Sequence, residues 1–141
     1  MNKTNSKQIF LYFSWIVSVI ATLGSLYFSE IREFIPCELC WYQRILMYPL
    51  ALILGIATFN SDFTVKKYVL PMAVIGWSIS LFHYLEQKVP GFAAIKPCTN
   101  GVPCNTEYIN WFGFITIPFL ALTAFTLIII FMLLIRSPKV K

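Results

Sequence analysis

Apolar residues gather into four long stretches, and the charges are bunched between them. No Asp, Glu, Lys or Arg occurs across residues 8–29, 45–61, 68–85 or 108–135, which are runs of 22, 17, 18 and 28 residues. A membrane-crossing helix needs about 20 apolar residues, within a range of about 17–25. In lipid a segment must satisfy its own backbone polar groups, so such runs are read as helices. The fourth run has a wet start, and its span is placed at about 112–135. The pattern predicts an all-α membrane protein: a four-helix transmembrane bundle with spans at about 8–29, 45–61, 68–85 and 112–135, forming a single integral membrane domain over 1–141. The first run has too long an apolar core for a cleaved signal peptide, and no small-residue cleavage site follows it. It is read as a retained helix.

Outside these runs lie segments of only 7, 15, 6, 22 and 6 residues. None can bury a core of its own, since pieces below about 40 residues need staples. Any large soluble redox domain therefore belongs to another protein. Four spans put both termini on one side. That side carries Lys3, Lys7, Lys66, Lys67, Arg136, Lys139 and Lys141, against Arg32, Arg44, Lys88 and Lys96 on the other. The excess places the termini and the short middle loop in the cytoplasm. It leaves two outer loops, 30–44 and 86–107, on the extracytoplasmic face. Trp41, Tyr42, Tyr84, Tyr108 and Trp111 fall where an interfacial aromatic belt is expected. The net charge of +5 is thus an orientation signal. No nucleic-acid partner is expected, because no soluble domain presents a basic face.

The charge pattern places all four cysteines, Cys37, Cys40, Cys98 and Cys104, in the two outer loops, outside any helix. That distribution fits an oxidising compartment. Two intraloop pairs follow naturally, Cys37 with Cys40 and Cys98 with Cys104, the latter across a turn built from Pro97, Asn100-Gly101 and Pro103. Three connectivities remain open from sequence. Three readings compete. Structural disulfides would make the chain a non-catalytic membrane assembly subunit, but a Cys37–Cys40 bridge closes too small a loop to constrain much chain. A four-thiolate zinc site is disfavoured by the five residues between Cys98 and Cys104, beyond the usual spacing of about two to four, and no metal is expected. The third reading is a redox relay, because short exposed disulfides are the labile ones.

A relay needs an electron sink. The sequence holds no flavin or nicotinamide motif, and Cys40 sits at the membrane boundary, so a lipid-soluble quinone fits. Arg44, one helical turn past Cys40, could stabilise a cysteine thiolate or charge developing on a quinone oxygen. Equally, it could be a snorkelling anchor. His83, the only histidine, could donate a hydrogen bond or proton to a quinone. The plainer reading is an interfacial histidine with no chemical task.

These residues resemble the DsbB family of membrane disulfide-forming oxidoreductases, closely so its BdbC-type members from Gram-positive bacteria. The likeness rests on "IPCELCWYQR" at 35–44, His83 with Gln87 four residues on, "KPCTNGVPC" at 96–104, and "WFGF" followed by Pro118. It implies a four-helix bundle with a quinone, menaquinone in such bacteria, near the outer face. It implies that Cys98 and Cys104 exchange with an extracytoplasmic thioredoxin-like thiol oxidase of the DsbA or BdbD kind. Cys37 and Cys40 would then re-oxidise that pair and reduce the quinone, with Arg44 beside it and His83 near it. The chain would be a multi-pass protein of the cell membrane, in contact with lipid and the quinone pool. One departure stands out: better-known members separate the second cysteine pair by a long segment with an interfacial helix, where this chain has five residues.

Overall fold

The computed structural model describes residues 3–33, 38–89 and 115–135. Four long helices account for most of them: α1 (Lys3–Leu26), α2 (Glu38–Asn60), α3 (Lys66–Lys88) and α4 (Ile117–Leu134). All four are long and apolar enough to cross a membrane, the first as a continuous stretch over Asn5–Ile31. The chain is a multi-pass, all-helical protein, as the charge-free runs predict. α1 packs on α2 and α4, and α3 packs on α2 and α4, so the helices follow one another round the bundle in chain order.

Helical periodicity sorts each span into an inward and an outward face. On α2, Leu39, Gln43, Met47, Leu50, Leu54, Ala57 and Thr58 are buried, mostly at steps of three or four, with Gly55 buried beside Leu54. This is the stripe a core-facing helix needs. Leu52, Ile56 and Phe59 point the other way, and Phe59 is 79% exposed. On a helix this apolar, such exposure marks the face that lipid covers. The core itself joins Leu11 of α1, Leu50 and Leu54 of α2, Val69 of α3, and Phe125 and Ile128 of α4.

The helices outrun the apolar stretches that announce them. α2 begins at Glu38, well before the charge-free run starts at Ile45, and takes in Cys40 and Arg44. The expectation that no cysteine lies in a helix is therefore corrected for Cys40, which sits in the first turn of α2. The cause is simple: a charge ends an apolar run without ending a helix, since Glu and Arg are good helix formers. In the same way α3 continues through Glu86 to Lys88.

One end of the bundle is closed by specific turns. After α2, Ser61 adopts φ 53°. Asp62 N then donates to Ala57 O at 2.9 Å and Ser61 N to Thr58 O at 3.4 Å. This is the paired bonding of a Schellman cap. Asp62 Oδ1 next accepts from Thr64 N at 2.9 Å and from Thr64 Oγ1 at 2.6 Å, starting the 3₁₀ turn Phe63–Val65 that leads into α3. Gln8 Nε2 donates to Thr58 O at 2.7 Å, and Lys66 Nζ to Ile135 O at 2.9 Å. These bonds tie α1 to α2 and α3 to the end of α4.

Candidate active site at the Cys40 end

The opposite end is built differently. α1 does not stop at Leu26 but widens into a π-helical stretch, Tyr27–Ile31, where Arg32 N bonds to Tyr27 O at 3.2 Å. Such wide turns are rare and often accompany functional sites. Across from it, Cys40 lies in the first turn of α2, half-buried, where helix dipoles present their positive end.

Arg44 follows Cys40 at i+4, which sets the two on one helix face. Its guanidinium is turned toward α1. Nε donates to Ser25 Oγ at 2.9 Å, and Nη2 donates to Ser25 O at 3.1 Å and to Ser29 Oγ. Tyr48 Oη stands 3.5 Å from the same Ser25 Oγ. On its other side the guanidinium carbon lies 5.4 Å from the centre of the Trp41 ring, a cation–π distance. A snorkelling anchor would hold its charged head out in water. Arg44 instead commits three N–H groups to a neighbouring helix.

Cys40 and Arg44 share the wall of a partly open cavity of about 430 Å³ between α1, α2 and α4. Ala21, Gly24, Phe28, Met47, Ala124 and Phe125 supply much of its apolar lining. Its polar groups are few: Ser25, Ser29, Gln43, Arg44, Tyr48 and Thr123, beside Cys40. Ile20, Leu120 and Leu127 also line it and are exposed on the outer surfaces of α1 and α4, so the cavity borders the lipid-facing surface. A mostly apolar cleft with a handful of converging polar groups is the usual form of a small-molecule site.

His83 is buried, at 1% exposure, and is not part of the cavity wall. Gln43 stands between. Its Nε2 lies 3.2 Å from His83 Nδ1, while Gln43 itself lines the cavity. When Gln43 donates, Nδ1 accepts, and the neutral ring carries its proton on Nε2. So His83 belongs to the site through a neighbour, not by direct contact with the cavity. Cys37, Cys98 and Cys104 lie outside the described residues, as do the turn at 97–103 and the start of the fourth apolar run. The structure thus brings together Cys40, Arg44 and, one step removed, His83.

Among the polar cavity groups that the sequence reading passed over are Ser25 and Ser29 of the α1 side, and Gln43. Signals for them existed. Ser25 and Ser29 are spaced by four within an apolar run, hence on one helix face. Gln43 is an uncharged polar residue directly beside Arg44, in the stretch 30–44 that the charge pattern assigns to an outer loop.

A multi-pass membrane protein with a helix-borne Cys-x-x-Cys cysteine beside a lipid-bordering cavity falls in the class of membrane thiol–disulfide oxidoreductases. Comparison with known proteins narrows the class: the family model "Disulfide bond formation protein DsbB" matches residues 7–135, and the chain belongs to that family. It is 76% identical over 134 residues to "Disulfide bond formation protein C" of Bacillus subtilis (strain 168), covering 95% of this chain and 97% of the relative. It is 56% identical over 125 residues to "Probable disulfide formation protein C 1" of Bacillus anthracis, covering 89% and 90%. A "Probable disulfide formation protein" of Coxiella burnetii (strain CbuK_Q154) is 50% identical over 130 residues, covering 91% and 87%. No solved structure matches the chain. The family membership makes the chain a disulfide oxidoreductase that works with a thiol–disulfide partner protein.

Proposed function

We propose that the chain oxidises an extracytoplasmic thioredoxin-like partner and hands the electrons to a membrane quinone, menaquinone in the Gram-positive setting its relatives suggest. The net reaction is partner dithiol plus quinone giving partner disulfide plus quinol. The observation that carries this reading is the shared wall: Cys40 and Arg44 line one apolar cavity that borders lipid.

A quinone ring is flat and apolar, with carbonyl acceptors at its ends. The cavity suits that chemistry, with Arg44 in its wall and a mostly apolar lining elsewhere. Bound there, a quinone supplies a sink for two electrons and two protons. The protein's own groups do the rest. Cys98 and Cys104 meet the partner's thiolate and exchange disulfides with it. Cys37 and Cys40 re-oxidise that pair, with thiolate as the attacking species at each exchange. Among the described residues, Cys40 is the cysteine that lines the cavity. Arg44 holds a fixed positive charge in the wall, where a low dielectric strengthens it. Gln43 stands against the ring of His83, the one histidine of the chain. The seven-to-four distribution of basic residues supports an orientation with the cysteines on the extracytoplasmic side.

The test is quinone reduction, followed by absorbance, with purified protein and a reduced thioredoxin-like donor. Wild type should turn over in a thiol-dependent manner, and Cys37→Ser should fall to background. No turnover with any quinone, from protein with intact disulfides and a competent donor, would instead favour inert structural disulfides.

A further inference from the structure

We infer that Ser25 and Ser29 are positioning residues for Arg44: they clamp one edge of its guanidinium to α1 so that the other edge is left to bind the electron acceptor. The inference rests on the quinone-site reading above and extends it to two residues that reading does not need.

A guanidinium carries five N–H groups: one on Nε and two on each Nη. Nε is taken by Ser25 Oγ, at 2.9 Å. The two on Nη2 are taken by Ser25 O, at 3.1 Å, and by Ser29 Oγ. Only the Nη1 pair remains among the described residues, on a side chain that lines the cavity. The clamp fixes the plane of the guanidinium as well as its position, because its acceptors meet two different nitrogens. Trp41 closes one face. A lysine could not use this arrangement, since an ammonium has no planar fork to seat. The backbone is part of the device. Ser29 lies within the wide turns Tyr27–Ile31, and Ser25 lies just before them, so α1 changes its winding where it grips Arg44.

A pre-seated guanidinium loses less freedom when a carbonyl oxygen arrives, and binding is tighter for it. The test therefore reads binding apart from turnover. Purified protein is titrated with a dimethyl-naphthoquinone lacking the isoprenoid tail, with binding read by quenching of tryptophan fluorescence. KM and kcat for quinone reduction are measured separately. Ser25→Ala with Ser29→Ala is expected to weaken binding about tenfold, raising KM more than it lowers kcat, because two hydrogen bonds to a charged group are lost. Arg44→Lys should do the same. Ser25→Thr with Ser29→Thr, which keeps both hydroxyls, should bind within about twofold of wild type. Ser78→Ala, on the exposed side of α3, is the control and should leave binding unchanged. Thiol–disulfide exchange with a dithiol donor, counted by alkylation, should be intact in all of them. If the double alanine variant does not accumulate, each single alanine variant keeps two of the three acceptors and should bind about threefold more weakly. Wild-type affinity in the serine-to-alanine variants or in Arg44→Lys, alongside lost binding in Arg44→Ala, would overturn the clamp while leaving Arg44 in the site. Failure of wild type itself to bind the naphthoquinone would overturn the quinone reading, and this inference with it.

Discussion

Gly76 and Gly24 show how differently the bundle is packed along its length. A Cβ built at Gly76 would run into the ring of Phe125, and one at Gly55 would come within 2.9 Å of Trp15 Nε1. At Gly24 a Cβ would meet nothing within 4 Å. The first two glycines allow close approach of a neighbouring helix or its aromatic ring, as small residues do in membrane bundles. Gly24 instead opens onto the cavity beside Arg44. The helix ends diverge in the same sense. Around Asp62 they are stitched together by Gln8, Lys66 and a Schellman cap. Around Cys40, Ser25 and Ser29 hold the Arg44 guanidinium and Gln43 meets the His83 ring. One region holds the fold, and the other keeps a space. Phe125 serves both, since it packs over Gly76 and lines the cavity.

The sharpest way to break this contrast is to fill the space. Gly24→Phe adds a ring where the structure has room, so the bundle should fold and melt as wild type does. Thiol-dependent quinone reduction should fall to on the order of a hundredth, since small displacements of a bound reactant carry costs of that size. Melting in detergent and turnover, measured on the same preparation, check both halves of the statement. Normal turnover would mean that the reactive space lies elsewhere.

Filling the packed region should do the reverse. Gly76→Val forces the buried Phe125 ring to move, and overpacking of this kind costs about 1–3 kcal/mol. The expected sign is a lower melting temperature with a clear loss of stability in a denaturant series. The surviving folded protein should retain thiol–disulfide exchange, because the variant lies away from Cys40. A fully stable Gly76→Val would show that Phe125 has room it is not using.

The spans were legible from charge alone because lipid leaves an apolar run few options beyond a helix. What charge could not locate was the start of each helix. Glu38 and Arg44 end the apolar run that opens at Ile45, yet both belong to α2. That shift turns a pair of loop residues, Cys40 and Arg44, into neighbours on one helix face. The chemistry of the two was readable from their types and spacing. The clamp on Arg44 was not, because it depends on which face α1 turns toward α2, more than a dozen residues away along the chain. The link from Gln43 to His83 spans 40 residues and joins two helices, so no local pattern announces it. Ser25 and Ser29 were visible only as a spacing of four.

The smallest expected effect tests the stitched end. Asp62 is held below the ordinary carboxylate value of 3.8, first by the hydrogen bond from the Thr64 hydroxyl and then by the one from Thr64 N. Both bonds favour the charged form. A carboxylate whose folded pKa is depressed adds stability that is fully present above its unfolded value and is lost as pH falls through the folded one. Asp62→Ala removes the acceptor at the start of the 3₁₀ turn and should cost at most about 1 kcal/mol near neutral pH, as for other lost caps. The gap between wild type and Asp62→Ala should then narrow as pH drops below about 3.8, because wild type gives up the same bonds by protonation. Paired denaturation series at neutral and acid pH read the difference directly. A gap that widens toward acid would place the stabilising form of Asp62 on the protonated side and undo the capping account, while quinone turnover should be equal in the two proteins at neutral pH, since Asp62 stands at the end of the bundle away from Cys40.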